Sequence, residues 1–369
     1  VFFMSKRYAW ELPKVVLYLL YGMTVYLFVA QYLKYASLHM YTDFGHWLTV
    51  LQGISTKGWP ESLSHEFIFP GSLNYFSIHF IPLVYVFGLF FTLIRSPVTL
   101  IYLNVLFMLS STIPLYVLAR YMQGRCFALF VVAIFLWYPT FQYITLYEFE
   151  MLRFSIPILL WMLYFFETRR TLLYSLFLVI AILVREEIGL TIGMFGLYVM
   201  LVRREYLKGI STTLVGFISF FLIVEIVQPG FSSRMGIDHI SIGLFEKFGG
   251  TPTEVAFGVL THPILTIGQL IHPIKLANEF MLFAPLLLLP LASLTALLGG
   301  LPQLAIGLLS DSVTTSSYML YYVAPSIPFI FYALLKAWPK VIQWAASKNR
   351  DAALRETNHK STRMLRIPE

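Results

Sequence analysis

Three groups of charged residues have types and spacing that suit chemistry on a phosphate or a hydroxyl. Arg185-Glu186-Glu187 sits between two short apolar runs. Ionisable groups at membrane depth are costly and face a cavity, a partner or the interface. The triplet therefore reads either as an arginine that holds an anionic lipid phosphate, with carboxylates orienting an acceptor or a metal, or as a self-paired hairpin tip. Glu148-Phe149-Glu150 carries two carboxylates one residue apart, and such a pair can share Mg²⁺ or Mn²⁺ through oxygen ligands. The alternative is a solvated loop in which Glu150 pairs with Arg153 at helical spacing. Asp43, in Tyr41-Thr42-Asp43-Phe44-Gly45-His46, is either a base for an acceptor hydroxyl or the cap of a helix over Trp47 to Ile54.

Weaker candidates surround these. His79, in Ser77-Ile78-His79-Phe80-Ile81-Pro82, reads as an interfacial histidine or a substrate contact. Tyr75, Tyr143, Tyr147, Tyr318, Tyr321 and Tyr322 suit stacking on sugar faces, although tyrosine belts also mark membrane interfaces. His262 and His272 stand on separate proline-broken turns and suit a metal poorly. Cys126 is the only cysteine, which excludes an intrachain disulfide and a cysteine metal site.

The elements that must position these groups are membrane helices. Of the 369 residues, 58% are hydrophobic and 12% charged, against about 25% charged in a soluble domain; mean hydropathy is +0.74. The net charge of +7 comes in small clusters between apolar runs, not in a basic tract with interleaved aromatics, so nucleic acid is excluded as a partner. A span needs about 20 apolar residues. Candidates are 12–33, 98–119, 126–144, 153–167, 172–185, 188–202, 209–228, 280–296, 297–310 and 322–339, with 76–94 either crossing or lying at the outer face. The first run resembles a signal peptide in layout but is long enough to be a retained helix.

Charge sets the orientation. If 76–94 does not cross, Lys6/Arg7/Lys14, Arg120/Arg125, Arg169/Arg170, Arg203/Arg204/Lys208 and Lys336/Lys340 all fall on one side. The positive-inside rule makes that side cytoplasmic, with both termini. The carboxylates, Asp238 among them, then collect at the outer face. Residues 1–344 read as one transmembrane domain with long outer segments 34–97 and 229–279, and 345–369 as a frayed basic cytoplasmic tail.

The collinear set Tyr41-Thr42-Asp43-Phe44-Gly45, His79-Phe80-Ile81-Pro82, Pro114-Leu115-Tyr116, Leu146-Tyr147-Glu148-Phe149-Glu150, Arg185-Glu186-Glu187-Ile188-Gly189, Phe248-Gly249-Gly250-Thr251-Pro252, His262-Pro263 and Tyr322-Val323-Ala324-Pro325 resembles a family of prokaryotic membrane proteins of unknown function. That family is grouped with the GT-C superfamily of glycosyltransferases that use polyprenyl-phosphate sugars. The resemblance spans about residues 38–335. It implies a multi-pass plasma-membrane protein with Asp43 near the acceptor and Arg185-Glu186-Glu187 facing the lipid phosphate. In a transferase, Arg153 would join Arg185 in stabilising the departing phosphate as a fixed charge. Two departures stand out. Where relatives have Asp-Phe-His-Pro-Glu, this chain has Glu148-Phe149-Glu150-Met151-Leu152, and a second histidine stands as Tyr321. Two functions remain open: a transferase acting on a polyprenyl-phosphate-linked sugar, and a non-catalytic scaffold that contacts lipid or other membrane subunits.

Overall fold

The computed structural model describes residues 14–232 and 240–364; Lys6, Arg7 and Asp238 lie outside them. Among the described residues there is no strand, only an isolated antiparallel bridge between Glu61 and Asn74. The chain runs through α1 (Lys14–Ala36), α2 (Thr42–Lys57), α3 (Leu63–Ile68), α4 (Val84–Leu93), α5 (Pro97–Ser110) and α6 (Thr112–Gln123). Next come α7 (Arg125–Leu136), α8 (Pro139–Leu146), α9 (Ser155–Glu167), α10 (Thr171–Ile182), α11 (Ile188–Leu201), α12 (Tyr206–Leu222) and α13 (Gln228–Phe231). After the undescribed stretch follow α14 (Pro252–Thr261), α15 (Pro263–Leu270), α16 (Pro273–Phe283), α17 (Leu301–Leu309) and α18 (Ile327–Met364). Prolines 97, 139, 252, 263 and 273 each open a helix, where a missing N–H removes no hydrogen bond.

Four stretches are long and apolar enough to cross a membrane: Pro97–Gln123, Tyr206–Phe231, Leu289–Leu309 and Val313–Lys348. The pair α7 and α8, bent by 50°, makes a fifth if counted as one span. The ten-span expectation is therefore met only in part. α9, α10 and α11 have 13, 12 and 14 residues, about 20 Å of helix against a hydrocarbon core of about 30 Å. Charged turns cut them short at both ends. The 76–94 stretch contains only the ten-residue α4, about 15 Å long and half a span. The tail differs from expectation too: α18 continues to Met364, through a stretch rich in Ala, Lys and Arg that favours helix.

The charged groups lie at two poles. Arg153 precedes α9 and Arg185 to Glu187 join α10 to α11; at the other ends of these helices stand Glu167, Arg169, Arg170 and Arg203. At that second pole Glu167 pairs with Arg203 at 2.6 Å and Lys336 at 2.8 Å. Between the poles α18 forms the axis, with Ile327, Phe329, Ile330, Phe331 and Tyr332 sealed from solvent. A second, smaller core lies under α2 and α4, where Trp47, Tyr75, Phe87, Phe149 and Phe154 interlock. The Tyr206–Phe231 stretch is only 22% buried, against 78% for Val313–Lys348, so it lies at the periphery.

That peripheral helix is held by glycine. A Cβ placed on Gly216 would sit 2.3 Å from the Gly193 nitrogen of α11, so the two backbones touch as small-residue faces do in membranes. Gly216→Leu must part α11 from α12. We expect a loss of about 1–3 kcal/mol, read as a lower melting midpoint in detergent; an unchanged midpoint would remove this contact from the account.

Candidate functional site

The site is built from a broken helix. α8 ends inside the protein, and its last carbonyls have no helical partners. Four side chains supply the donors. Gln31 Nε2 reaches Thr145 O (2.6 Å) and Tyr147 O (2.8 Å), and Asn104 Nδ2 reaches Thr145 O (2.9 Å). Lys34 Nζ reaches Leu146 O (3.4 Å), and Arg153 Nη1 donates to Ile144 O (2.7 Å) and Asn104 Oδ1 (3.0 Å). Arg153 Nη2 also donates to Glu148 O. Arg153 is fully sealed. Its guanidinium thus holds the backbone rather than facing a cavity.

This clamp fixes the extended run Tyr147 to Glu150, whose side chains reach other elements. Tyr147 Oη donates to Asp43 Oδ2 at 2.9 Å. Glu148 accepts from the Tyr41 and Phe44 amides, so it caps α2 from a distance. Glu150 accepts from Trp47 Nε1 at 3.2 Å and lies 3.7 Å from Arg185. Glu148 and Glu150 therefore have separate neighbours and do not converge as one ligand pair. Asp43 is not the helix cap of the second alternative: α2 begins at Thr42 with Tyr41 as its N-cap, and Asp43 lies within the first turn. Burial raises both glutamates above the usual carboxylate range.

Arg185 is the centre of the cluster. Its Nε lies 2.8 Å from Glu187 Oε2 and 3.9 Å from Glu186 Oε1. The 2.8 Å contact is close but misaligned, leaving Nε without a formed hydrogen bond. Glu186 accepts from the Phe80 amide at 3.0 Å and lies 2.6 Å from His79 Nδ1. His79, Glu186 and Glu187 bring one ligand-type atom each within 4.8 Å of one another. The Arg185 guanidinium stands inside that cluster, so a fixed side chain already supplies countercharge. Burial pushes Glu187 up to about 7; Arg185 opposes the shift, and Glu186 and Glu150 add to it.

Arg185, Glu186 and Glu187 form the polar end of a cavity of about 490 Å³. Its walls are apolar: Leu190 of α11, Phe220 of α12, Val255 and Val259 of α14, and Ile306 of α17. Gln303 also lines it, almost fully buried and with Oε1 unpartnered. The sequence signal for Gln303 is a lone amide in the apolar run 297–310. Tyr322 lines the cavity and stacks on Tyr321, which packs against Tyr147. Asp43 is not in the lining; it stands on the far side of that tyrosine wall. The structure thus brings Arg185, Glu186, Glu187, Glu150 and His79 into one cluster, links Asp43 to it through Tyr147 and Tyr321, and gives Glu148 and Arg153 to the framework. Tyr75 and Trp47 join the cluster by long-range packing that no local pattern shows.

Removing the Arg153 guanidinium leaves buried carbonyls without donors. Arg153→Met should therefore lower stability by about 2–4 kcal/mol, measured as a melting midpoint in detergent; wild-type stability would show that the clamp is not needed.

Residues 34–354 match the model of a family described as predicted membrane protein (DUF2079). No curated protein and no solved structure matches the chain. An apolar all-helical fold, with its charges gathered at the helix ends, fits that description, and the chain belongs to the DUF2079 family of membrane proteins.

Proposed function

We propose that this protein is a glycosyltransferase of the plasma membrane that moves a sugar from a polyprenyl-phosphate carrier to an extracytoplasmic acceptor. The observation that carries the reading is the cavity: an apolar chamber that ends on the buried arginine Arg185. An isoprenoid chain matches the walls, and a phosphate matches Arg185. As the bond between sugar and phosphate breaks, charge grows on the phosphate oxygens, and a fixed guanidinium there lowers the barrier. Tyr321, Tyr322 and Tyr147 offer ring faces to a sugar, and Asp43 positions the acceptor beyond them.

A second reading, an accessory subunit of a membrane complex, is favoured by one observation. Phe257, Leu260, Ile264 and Ile267 form an exposed stripe on α14 and α15, with Ile264 88% exposed. Under that reading the stripe docks a helix of another subunit, and the protein purifies from native membranes with a stoichiometric partner.

Arg185→Gln should reduce turnover of a polyprenyl-phosphate-linked sugar by about 10²–10³-fold. That variant leaves buried carboxylates uncompensated, a cost of about 3–5 kcal/mol, so Ala256→Trp, which fills the apolar chamber without touching charge, serves beside it. Both should weaken binding of the lipid-linked sugar tenfold or more in nanodiscs. Wild-type protein that binds it no better than ordinary anionic phospholipid would contradict the reading. Acidity supplies a further check. Below about pH 7 Glu187 takes up a proton and loses its negative charge, so the site becomes more positive. Affinity for the lipid phosphodiester, whose own charge is constant here, should therefore rise from pH 8 to pH 6. Glu187→Gln should flatten this dependence; an unchanged slope would remove Glu187 as its source.

A further inference from the structure

A transfer to a hydroxyl needs a proton acceptor; Asp43 and His79 both stand outside the cavity lining, but His79 is held at 2.6 Å by a lining residue, Glu186. We propose that His79 is that acceptor, taking the proton of the incoming hydroxyl on Nε2 while Glu186 holds the ring. This rests on the transferase reading above.

The ring is set for the task by its neighbours. Glu186 is fixed at one oxygen by the Phe80 amide and meets His79 Nδ1 with the other at 2.6 Å. A carboxylate accepts, so Nδ1 carries the hydrogen and the lone pair lies on Nε2. Among the described residues Nε2 makes no hydrogen bond, yet it is not one of the sealed unpartnered atoms, as His46 Nε2 is. The His79 side chain is 15% exposed, so Nε2 is reachable.

Position supports the same role. Glu186 both lines the lipid cavity and holds His79. The dyad therefore adjoins the charged end of the cavity, where on the transferase reading the donor's phosphate rests. The charged and titratable groups facing His79 are Glu186, Glu187 and Arg185 from the α10–α11 turn, with Tyr75 packed on its ring and His46 and His65 behind Tyr75. Burial and Arg185 lower His79 more than Glu186 raises it, so the imidazole is neutral at neutral pH and free to accept.

The step balances without a further reagent. The acceptor O–H breaks, and its proton goes to Nε2. The oxygen pair forms the bond to the anomeric carbon, and the carbon–oxygen bond to phosphate breaks with its electrons left on the phosphate beside Arg185. The proton then passes to water as product leaves.

Two measurements test the dyad. Carbethoxylation by diethyl pyrocarbonate at pH 7, mapped by mass spectrometry on the intact protein in nanodiscs, should modify His79 as readily as exposed His262 and faster than buried His46. No modification at His79 would overturn the proposal, because Nε2 would then be out of reach. With a polyprenyl-phosphate-linked sugar as donor, His79→Gln should bind the donor within about twofold of wild type and turn over 10²-fold or more slowly. Its pH–rate profile should lose the acid limb. Glu186→Gln should move that limb to lower pH, since the removed carboxylate is what raises His79. Normal turnover by His79→Gln would overturn the dyad and leave the transferase reading standing. Loss of donor binding in that variant would make His79 a structural residue and overturn the dyad as well. Wild-type protein that neither binds nor turns over the donor would overturn both.

Discussion

A guanidinium does not surrender its charge inside a protein, and Arg185 is almost wholly buried. Its compensation organises one pole of the molecule. Carboxylates at 2.8, 3.7 and 3.9 Å come from its own turn and from the run after α8. Each attraction is worth about 4 kcal/mol at 4 Å and an effective dielectric of 20, of the order of the several kcal/mol that desolvation costs each ion. The balance closes only if the carboxylates are held still. The second core under α2 and α4 does this: Trp47 bonds Glu150, and the Phe80 amide bonds Glu186.

Short helices are the means of placement. A bundle of full-length spans would carry the charged ends far apart along its axis. Here α8 stops inside the protein, and α10 and α11 meet at a charged turn, so groups from distant parts of the sequence share one depth. The same turn docks the 79–83 segment through Leu83 N to Leu183 O at 3.0 Å. The open carbonyls of α8 are closed by Arg153, Gln31, Asn104 and Lys34. Polar residues that look like site chemistry in the sequence thus serve the backbone. The cavity gains its polar end because that backbone is irregular.

Hydropathy and charge made the helical class and the two-pole segregation legible, because lipid exposure and the cost of buried charge act on every segment. The individual spans were less legible. A run such as 153–167 reads as apolar whether it crosses or stops halfway, and only packing against α6, α10 and α18 decides. Arg185-Glu186-Glu187 was recognisable because three ionisable residues break an apolar stretch. Arg153 is as visible, but its local sequence suits a substrate contact equally well, since nothing local reveals that it faces carbonyls. Glu148-Phe149-Glu150 reads as a cation-binding pair, whereas in the fold Glu148 caps α2, a contact across 104 residues. Gln303 and the α14 wall became apparent only when the chain was folded around the chamber.

On the proposed transferase reading, the chamber between α11, α12, α14 and α17 holds the chain of a lipid whose phosphate rests on Arg185. An experimental density map of the protein in nanodiscs loaded with polyprenyl phosphate tests it most directly. Continuous density is expected from the Arg185 guanidinium along Val255 and Val259, with the phosphate at the charged end. A chamber closed by its own side chains, or a lipid phosphate bound elsewhere with Arg185 paired only to its glutamates, would contradict it.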